Sequence, residues 1–300
     1  MTNTIKRQGL TVVITGTSSG IGKGVAMQLA EEGANVVLAA RRTKLIQELA
    51  EACGPNAMAV TTDVSKEEDI ARLFERTMKA FEKIDVWINN AGIGTYGSFT
   101  ETPLKDLNRT VEINFMGTVY GSHYALKQFK EQQYGTLINV ASFASKMPIP
   151  FGAAYTSSKY GVSGLSNALF REMELEHFND IHICSIDPWI TDTPWTEHAG
   201  NYSGHEIRLG PADDPQKVID AIIDLIDKPQ KNIEIGTKTK AASAAGSLAP
   251  ETAKSLTGKA LQRMFAEAPK APATEGSLFE PKTEGSGVSG DLRERLKKKD

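Results

Sequence analysis

Cysteine is scarce in this chain, with Cys53 and Cys184 the only two in 300 residues. Two thiols cannot form the disulfide framework of a small secreted scaffold; Cys53 falls at a helix end and Cys184 in a buried strand, so both are expected as reduced thiols. His123, His177, His182, His198 and His205 have no paired spacing with cysteines or carboxylates, so no metal site is expected. No segment approaches the roughly 18 uninterrupted apolar residues that span a bilayer, and Met1 to Arg7 lack the apolar core of a secretory signal. Neither charge sign dominates: 34 Lys and Arg stand against 37 Asp and Glu, a net charge of −3 without the electrostatic footprint of a nucleic-acid binder. A cytoplasmic globular protein with neither membrane nor nucleic-acid partner is expected.

What is present is a rhythm. Strand-like apolar runs at Leu10 to Ile14, Asn35 to Ala40, Ala57 to Asp63, Asp85 to Ala91, Gly135 to Ser142, Asp180 to Asp187 and Asn232 to Thr237 alternate with helix-length segments. Strands spaced by helices predict an α/β fold with a parallel sheet and helices on both faces, because each parallel connection needs a crossover. Right-handed crossovers bring the strand ends near Gly16, Asn90, Ser142 and Pro188 to one ligand-binding edge. A chain of this length can bury about three quarters of its unfolded surface as one large domain.

Two motifs carry chemistry. Thr15-Gly16-Thr17-Ser18-Ser19-Gly20-Ile21-Gly22 sits where the first strand turns into a helix. Gly16 allows the turn, Gly20 lets backbone approach a pyrophosphate, Gly22 permits close packing, and the helix start supplies amides with a positive dipole end. Tyr155 and Lys159, four residues apart, share one helical face. A fixed ammonium favours the phenolate, and an adjusted phenol can exchange a proton with a carbonyl or alcohol.

The glycine spacing, the Asn89-Asn90-Ala91-Gly92 segment and the ordered set Asn114, Ser142, Tyr155 and Lys159 resemble the short-chain dehydrogenase/reductase family over residues 8 to 240. The resemblance implies a Rossmann-type doubly wound parallel sheet, with a substrate lid at 189–210. It implies Tyr155 as acid and base, Lys159 lowering its pKa and holding the nicotinamide ribose, Ser142 orienting the substrate oxygen, and Asn114 in a water-mediated proton relay. Cofactor contacts are implied at Gly16, Ser18, Ser19, Gly20, Ile21, Gly22, Arg41, Asp63, Val64, Asn90, Ala91, Gly92, Pro188, Ile190 and Thr193, besides Tyr155 and Lys159. Arg41 and Arg42 follow the second strand where an acidic residue would hold the ribose of NAD, which favours NADP, bound through its 2′-phosphate. Asp63 is equally well placed to cap the turn ahead of Ser65.

The chain departs from the family at Asp187-Pro188-Trp189, where Trp189 replaces a glycine and is expected either to crowd the nicotinamide wall or to point aside. The lid and Met147-Pro148-Ile149-Pro150-Phe151 are apolar or aromatic, as a hydrophobic ring-shaped substrate would require. Leu256, Ala260, Leu261, Met264 and Phe265 fit one face of a helix within a C-terminal extension at 241–268. Residues 269–300, rich in Pro, Gly, Ser, Lys and Glu, are expected to be mobile or laid on the surface. The expected activity is NADP-dependent interconversion of a small-molecule carbonyl and alcohol by a homodimer or homotetramer. The rivals are an NAD-linked alcohol dehydrogenase and a non-catalytic NADP sensor or scaffold.

Overall fold

The computed structural model describes residues 7–241, 258–259, 262–263 and 267–297. Strand β1 (Thr11–Thr15) leads into α1 (Gly20–Glu31), β2 (Asn35–Ala40) into α2 (Thr43–Cys53), and β3 (Ala57–Thr61) into α3 (Glu67–Phe81), followed by β4 (Val86–Asn89). After a short β5 (Thr95–Gly97), α4 (Leu104–Val111) passes through a π-helical turn at Glu112–Met116 into α5 (Gly117–Gln132). Then come β6 (Gly135–Val140), α6 (Ala153–Leu175), β7 (Ile181–Pro188), α7 (Trp195–His198), β8 (Gly200–Tyr202), α8 (Pro215–Asp227), β9 (Asn232–Ile235) and the C-terminal α9 (Leu292–Lys297).

Seven of these strands form one sheet in the order β3-β2-β1-β4-β6-β7-β9, and every pairing is parallel. Strand order reverses between β1 and β4, which opens a crevice beyond their carboxyl ends. Alternation along each strand feeds two cores. Val12, Ile14, Val36, Leu38 and Ile186 pack on one face against Val25 and Leu29 of α1 and Ile219 and Ile222 of α8. Val13, Val37, Trp87, Leu137 and Ile183 pack on the other against Ile70 and Leu73 of α3 and Phe129 of α5. Helix α8 starts cleanly because Pro215 needs no donor partner and the Asp214 carboxylate accepts from the Gln216 amide at 2.9 Å.

The expected strands are present with shifted ends: β3 stops at Thr61, since Asp63 turns the chain instead of extending it. A second, two-stranded parallel sheet, β5 with β8, was not expected from the sequence. Its three-residue strands are too short for an alternation to register, and the paired residues, Thr95–Gly97 and Gly200–Tyr202, are far apart in the chain. Cys53 ends α2 and Cys184 is buried in β7, both as free thiols. Among the described residues no helix is long and apolar enough to cross a membrane. The amphipathic face of Leu256, Ala260, Leu261, Met264 and Phe265 lies outside the described residues.

The segment after 269 is not free of the body. Leu278 and Leu292 are buried, and the chain between them is held by Arg41 and Arg42 after β2 and by Lys23 of α1. The scattered apolar residues of this polar stretch, Leu278, Phe279, Val288 and Leu292 among them, follow neither a helical nor a strand period, so its anchoring left no pattern to read.

Phe129 is fully buried, its ring lying where a Cβ on Gly135 would fall. Phe129→Ala is expected to lower stability by about 3–5 kcal/mol, measured as a lower urea midpoint at unchanged slope.

Candidate active site

The glycine turn is held by the end of β4. The Thr15 hydroxyl accepts from the Asn90 and Ala91 amides at 3.0 and 3.1 Å, and the Asn90 carboxamide donates to the Thr15 carbonyl at 2.8 Å. A Cβ on Gly16, which has φ of +77°, would lie 2.8 Å from the Ala91 Cα; one on Gly22 would lie 2.5 Å from the Gly16 carbonyl oxygen. The turn is therefore a cradle that side chains would fill, and its rim, Ser18, Ser19, Gly20 and Ile21, opens into a cavity that continues to Tyr155. These residues fit a dinucleotide pyrophosphate. One donor is engaged within the protein: the Gly20 amide donates to the Gly287 carbonyl at 2.8 Å. Asn90, expected as a cofactor contact, lines the cavity and also clamps the turn.

Helix α6 brings Tyr155 and Lys159 to the same cavity as Ser142, which follows β6. The Ser142 hydroxyl, which accepts from the Ala144 amide at 3.1 Å, lies beside the Tyr155 phenol and favours its ionised form. The Lys159 ammonium lies 5.9 Å from the Tyr155 ring centroid and donates to the Val140 carbonyl at 2.8 Å. Asn114 is fully buried in the π-helical turn, where its side chain accepts from the Ile93 amide at 2.8 Å and donates to the Ile93 carbonyl and the Ser158 hydroxyl. A Cβ on Gly92 would lie 3.4 Å from both the Asn114 oxygen and the Lys159 nitrogen, so these two groups flank one point. The four residues do come together.

Burial dominates the electrostatics. It pushes the Tyr155 phenol up to about 12, against the Ser142 hydroxyl, and pulls the Lys159 ammonium down to about 8, against the nearby Asp187 carboxylate. Asp187 is buried at the end of β7, accepts from the Ser145 hydroxyl at 2.7 Å, and is raised above the usual carboxylate range by burial.

At the other end of the cavity, both arginines are engaged. Arg41 donates to the Ser277, Leu278 and Phe279 carbonyls. Arg42 donates to the Ser18 and Ser19 hydroxyls at 2.9 and 2.7 Å and to the carbonyls of Lys282, Glu284 and Gly285. The sequence reading treated them as free for a ligand; it missed the C-terminal carbonyls because hydrogen bonds to main chain leave no residue-type signature. Asp63 receives the Ser65 hydroxyl and amide and pairs with Arg109 at 2.6 Å. Burial would raise its pKa, but these hydrogen bonds hold it below the usual range. Val64, Ala91, Gly92, Pro188, Ile190 and Thr193 all line the cavity.

Aromatic rings surround Tyr155. The Trp195 ring lies 5.1 Å from it and donates its Nε1 to the Gly92 carbonyl at 3.1 Å; Tyr96 meets Trp195 edge-on at 6.1 Å. Trp189 resolves the ambiguity at its position: the ring packs on Phe143 at 4.6 Å and Nε1 donates to the Pro211 carbonyl, with the residue at the cavity edge. Of the 147–151 segment, Met147 and Ile149 are buried in this cluster, whereas Phe151 is exposed. Tyr96 and Trp195 were not singled out as site residues from the sequence. The segment expected as a lid is drawn together at its base, where the Asp213 amide donates to the Ile190 carbonyl and the Asp192 amide to the Asp213 carbonyl.

Comparison with known proteins bears on these features. A family model described as short chain dehydrogenase matches residues 10–202. The chain is 33% identical over 279 residues to the uncharacterized oxidoreductase YxnA of Bacillus subtilis, covering 90% of this chain and 77% of that protein. It is 35% identical over 194 residues to 11-beta-hydroxysteroid dehydrogenase A of Sesamum indicum, covering 63% of this chain and 54% of that protein. Among solved structures, a 3-ketoacyl-(acyl-carrier-protein) reductase from Brucella melitensis complexed with NADH superposes with a TM-score of 0.67 at 26% identity, over 77% of this chain and 99% of that one.

Two outcomes are expected. In Gly22→Ala the new methyl must displace the Gly16 carbonyl and the Asn90 carboxamide, so dinucleotide affinity should fall about tenfold or more, read by fluorescence titration, and the thermal midpoint should fall with a stability loss of about 1–3 kcal/mol. Lys159 titrates lower in the folded chain than unfolded, where its value is 10.5. Between about pH 8 and 10.5 the unfolded state therefore binds more protons, and this group makes stability rise with pH. Lys159→Met should lack that rise, so the wild-type urea midpoint should gain on the variant's as pH climbs from about 8 to 10.5.

Proposed function

Because the chain belongs to the short-chain dehydrogenase/reductase family, we propose that it is an NADP-dependent oxidoreductase interconverting a carbonyl and an alcohol, with Tyr155 as acid and base. The observation that carries this reading is the meeting of the Tyr155 phenol, the Ser142 hydroxyl and the Lys159 ammonium in the cavity that begins at the glycine turn. When bound, the dinucleotide supplies or accepts the hydride at its nicotinamide.

Tyr155 gives its proton to the carbonyl oxygen in reduction and takes it back in oxidation, while Ser142 orients that oxygen. With burial raising its pKa to about 12, Tyr155 is a neutral phenol at pH 7, the form that reduction needs. Lys159, at about 8, keeps most of its charge at that pH and opposes the burial of any phenolate formed beside it. Asn114, fixed by Ile93 and Ser158, holds its polar edge close to Lys159, as a proton relay would require.

Arg41 and Arg42 support NADP, since they follow β2 where an acidic side chain would receive a ribose hydroxyl. A charge-assisted contact to a 2′-phosphate is worth about 1.5–3 kcal/mol, or roughly 10- to 100-fold over NAD. The rings of Tyr96, Phe143, Trp189 and Trp195 support a substrate with a hydrophobic, ring-shaped body. The name of the sesame relative, a hydroxysteroid dehydrogenase, is in line with that class.

Tyr155→Phe should lower carbonyl reduction about 10²–10⁴-fold with NADPH affinity kept, because the ring still packs against Trp195. Undiminished turnover in that variant overturns the acid/base assignment. In a substrate panel, ring ketones should react faster than small sugars, and reaction with polar sugars alone would overturn the ring-substrate reading.

A further inference from the structure

The C-terminal segment crosses the mouth of the cavity as a strap. It first runs along the outer edge of the lid, with antiparallel bridges from Lys270 to His205 and from Thr274 to Asn201. It then passes over the ends of β2 and α1, held by the arginine contacts already described and by Lys23, which donates to the Ser286 carbonyl at 3.0 Å. Beyond the cavity it is pinned to the base of the lid: the Asp192 carboxylate accepts from the Leu292 amide at 2.7 Å and from the Arg293 guanidinium at 2.9 Å. Ser277, Pro281 and Lys282 line the same cavity as the glycine turn. The strap is a wall of the cavity and, through the Gly287 carbonyl, holds the Gly20 amide of the glycine turn.

The charges at this end do not balance. Arg41, Arg42 and Lys282 all face the cavity, and among the described residues none of the three makes an ion pair. Carbonyl oxygens satisfy the guanidinium donors but carry no net charge, so the positive charges remain. Two carboxylates act on Arg41 through space, Asp63, which is committed to Arg109, and Glu280 of the strap, and neither forms an ion pair with it. Arg41 and Arg42 also repel each other, and burial disfavours the charged form of both. Neighbouring cations drawn partly out of water call for an anion between them. The Lys282 amide is turned back onto the Ser277 hydroxyl at 3.4 Å, which keeps this lysine on the stretch that overlies β2.

We infer that the strap completes the dinucleotide site, with the Lys282 ammonium as a third cation of the 2′-phosphate pocket beside Arg41 and Arg42, and with Ser277 and Pro281 as its outer wall. The inference rests on the NADP reading and deepens it: cofactor preference is set in part by a residue 240 positions downstream of β2's arginines. The strap must lift, at least locally, for the dinucleotide to enter or leave.

Dissociation constants for NADPH and NADH, measured by fluorescence titration on full-length wild type, Lys282→Ala and Lys282→Arg, test it. Wild type should prefer NADPH. Lys282→Ala should weaken NADPH about tenfold, the scale of one charge-assisted contact, leave NADH within about twofold, and be largely restored in Lys282→Arg. Hydrogen exchange of amides 277–287 should slow more with saturating NADPH than with NADH. An unchanged NADPH constant in Lys282→Ala, or equal losses for both cofactors, overturns the role of the strap lysine, as does exchange in 277–287 that speeds up when NADPH binds. A wild type that binds NADH as tightly as NADPH overturns the NADP reading itself, and is seen before any variant is made.

Discussion

The end of β1 can serve as a cofactor cradle only if its backbone turns away sharply and then stays where it is. Glycine permits the turn but does not hold it, since a residue without a side chain has the most conformational freedom to lose. The holding is done from the neighbouring strand. Thr15 and Asn90 exchange hydrogen bonds across the point where strand order reverses, and the Asn90 carboxamide closes on the backbone that Gly16 bends. Everything downstream is referenced to that junction. The helix dipole of α1 is aimed by it, and Gly92, two residues past the clamp, brings the cavity floor to Asn114, Lys159 and Trp195.

The acid/base pair is governed by dehydration. A phenol and an ammonium in the same apolar pocket are both pushed toward their neutral forms, so burial moves Tyr155 up and Lys159 down. Sequence reasoning stressed attraction between the two. The geometry places Lys159 on the Val140 carbonyl, 5.9 Å from the phenol ring, with Ser142 the polar side chain that acts on the hydroxyl. Such an arrangement keeps Tyr155 protonated, the form that the proposed reduction needs. The aromatic rings packed beside it also shape the space in front of it, so the same residues bear on proton affinity and, in the proposed function, on the class of substrate admitted.

The strap has a different physical basis from the core. It contains few apolar residues and little regular structure, so its carbonyls lack partners in a helix or sheet. Buried or half-buried carbonyls need donors, and Arg41, Arg42, Arg109 and Lys23 supply them. Guanidinium groups suit this task because each presents several donors in a fixed fork. Asp192 does the converse at the far end, receiving the amides that open α9. The two ends of the cavity are thereby joined outside the main chain of the sheet.

Periodicity and punctuation in the sequence were enough for the α/β architecture, since alternation of short apolar runs with helical stretches admits few packings other than a parallel sheet covered on both faces. Local motifs identified the glycine turn, and the four-residue spacing of Tyr155 and Lys159 placed both on one face of α6, because these patterns depend on neighbours in the chain. What lay beyond reach were contacts between distant segments. The β5–β8 pairing joins residues about a hundred positions apart, Trp195 reaches back to Gly92, and carbonyls near 280 meet arginines at 41 and 42. Main-chain carbonyls are the same in every residue type, so no sequence pattern announces them. The sequence by itself determined the fold and the reactive groups, through local propensity and hydrophobic period. Tertiary structure alone decided which charges are dehydrated, which rings wall the cavity and what closes it, because burial and long-range hydrogen bonds exist only once the chain has folded.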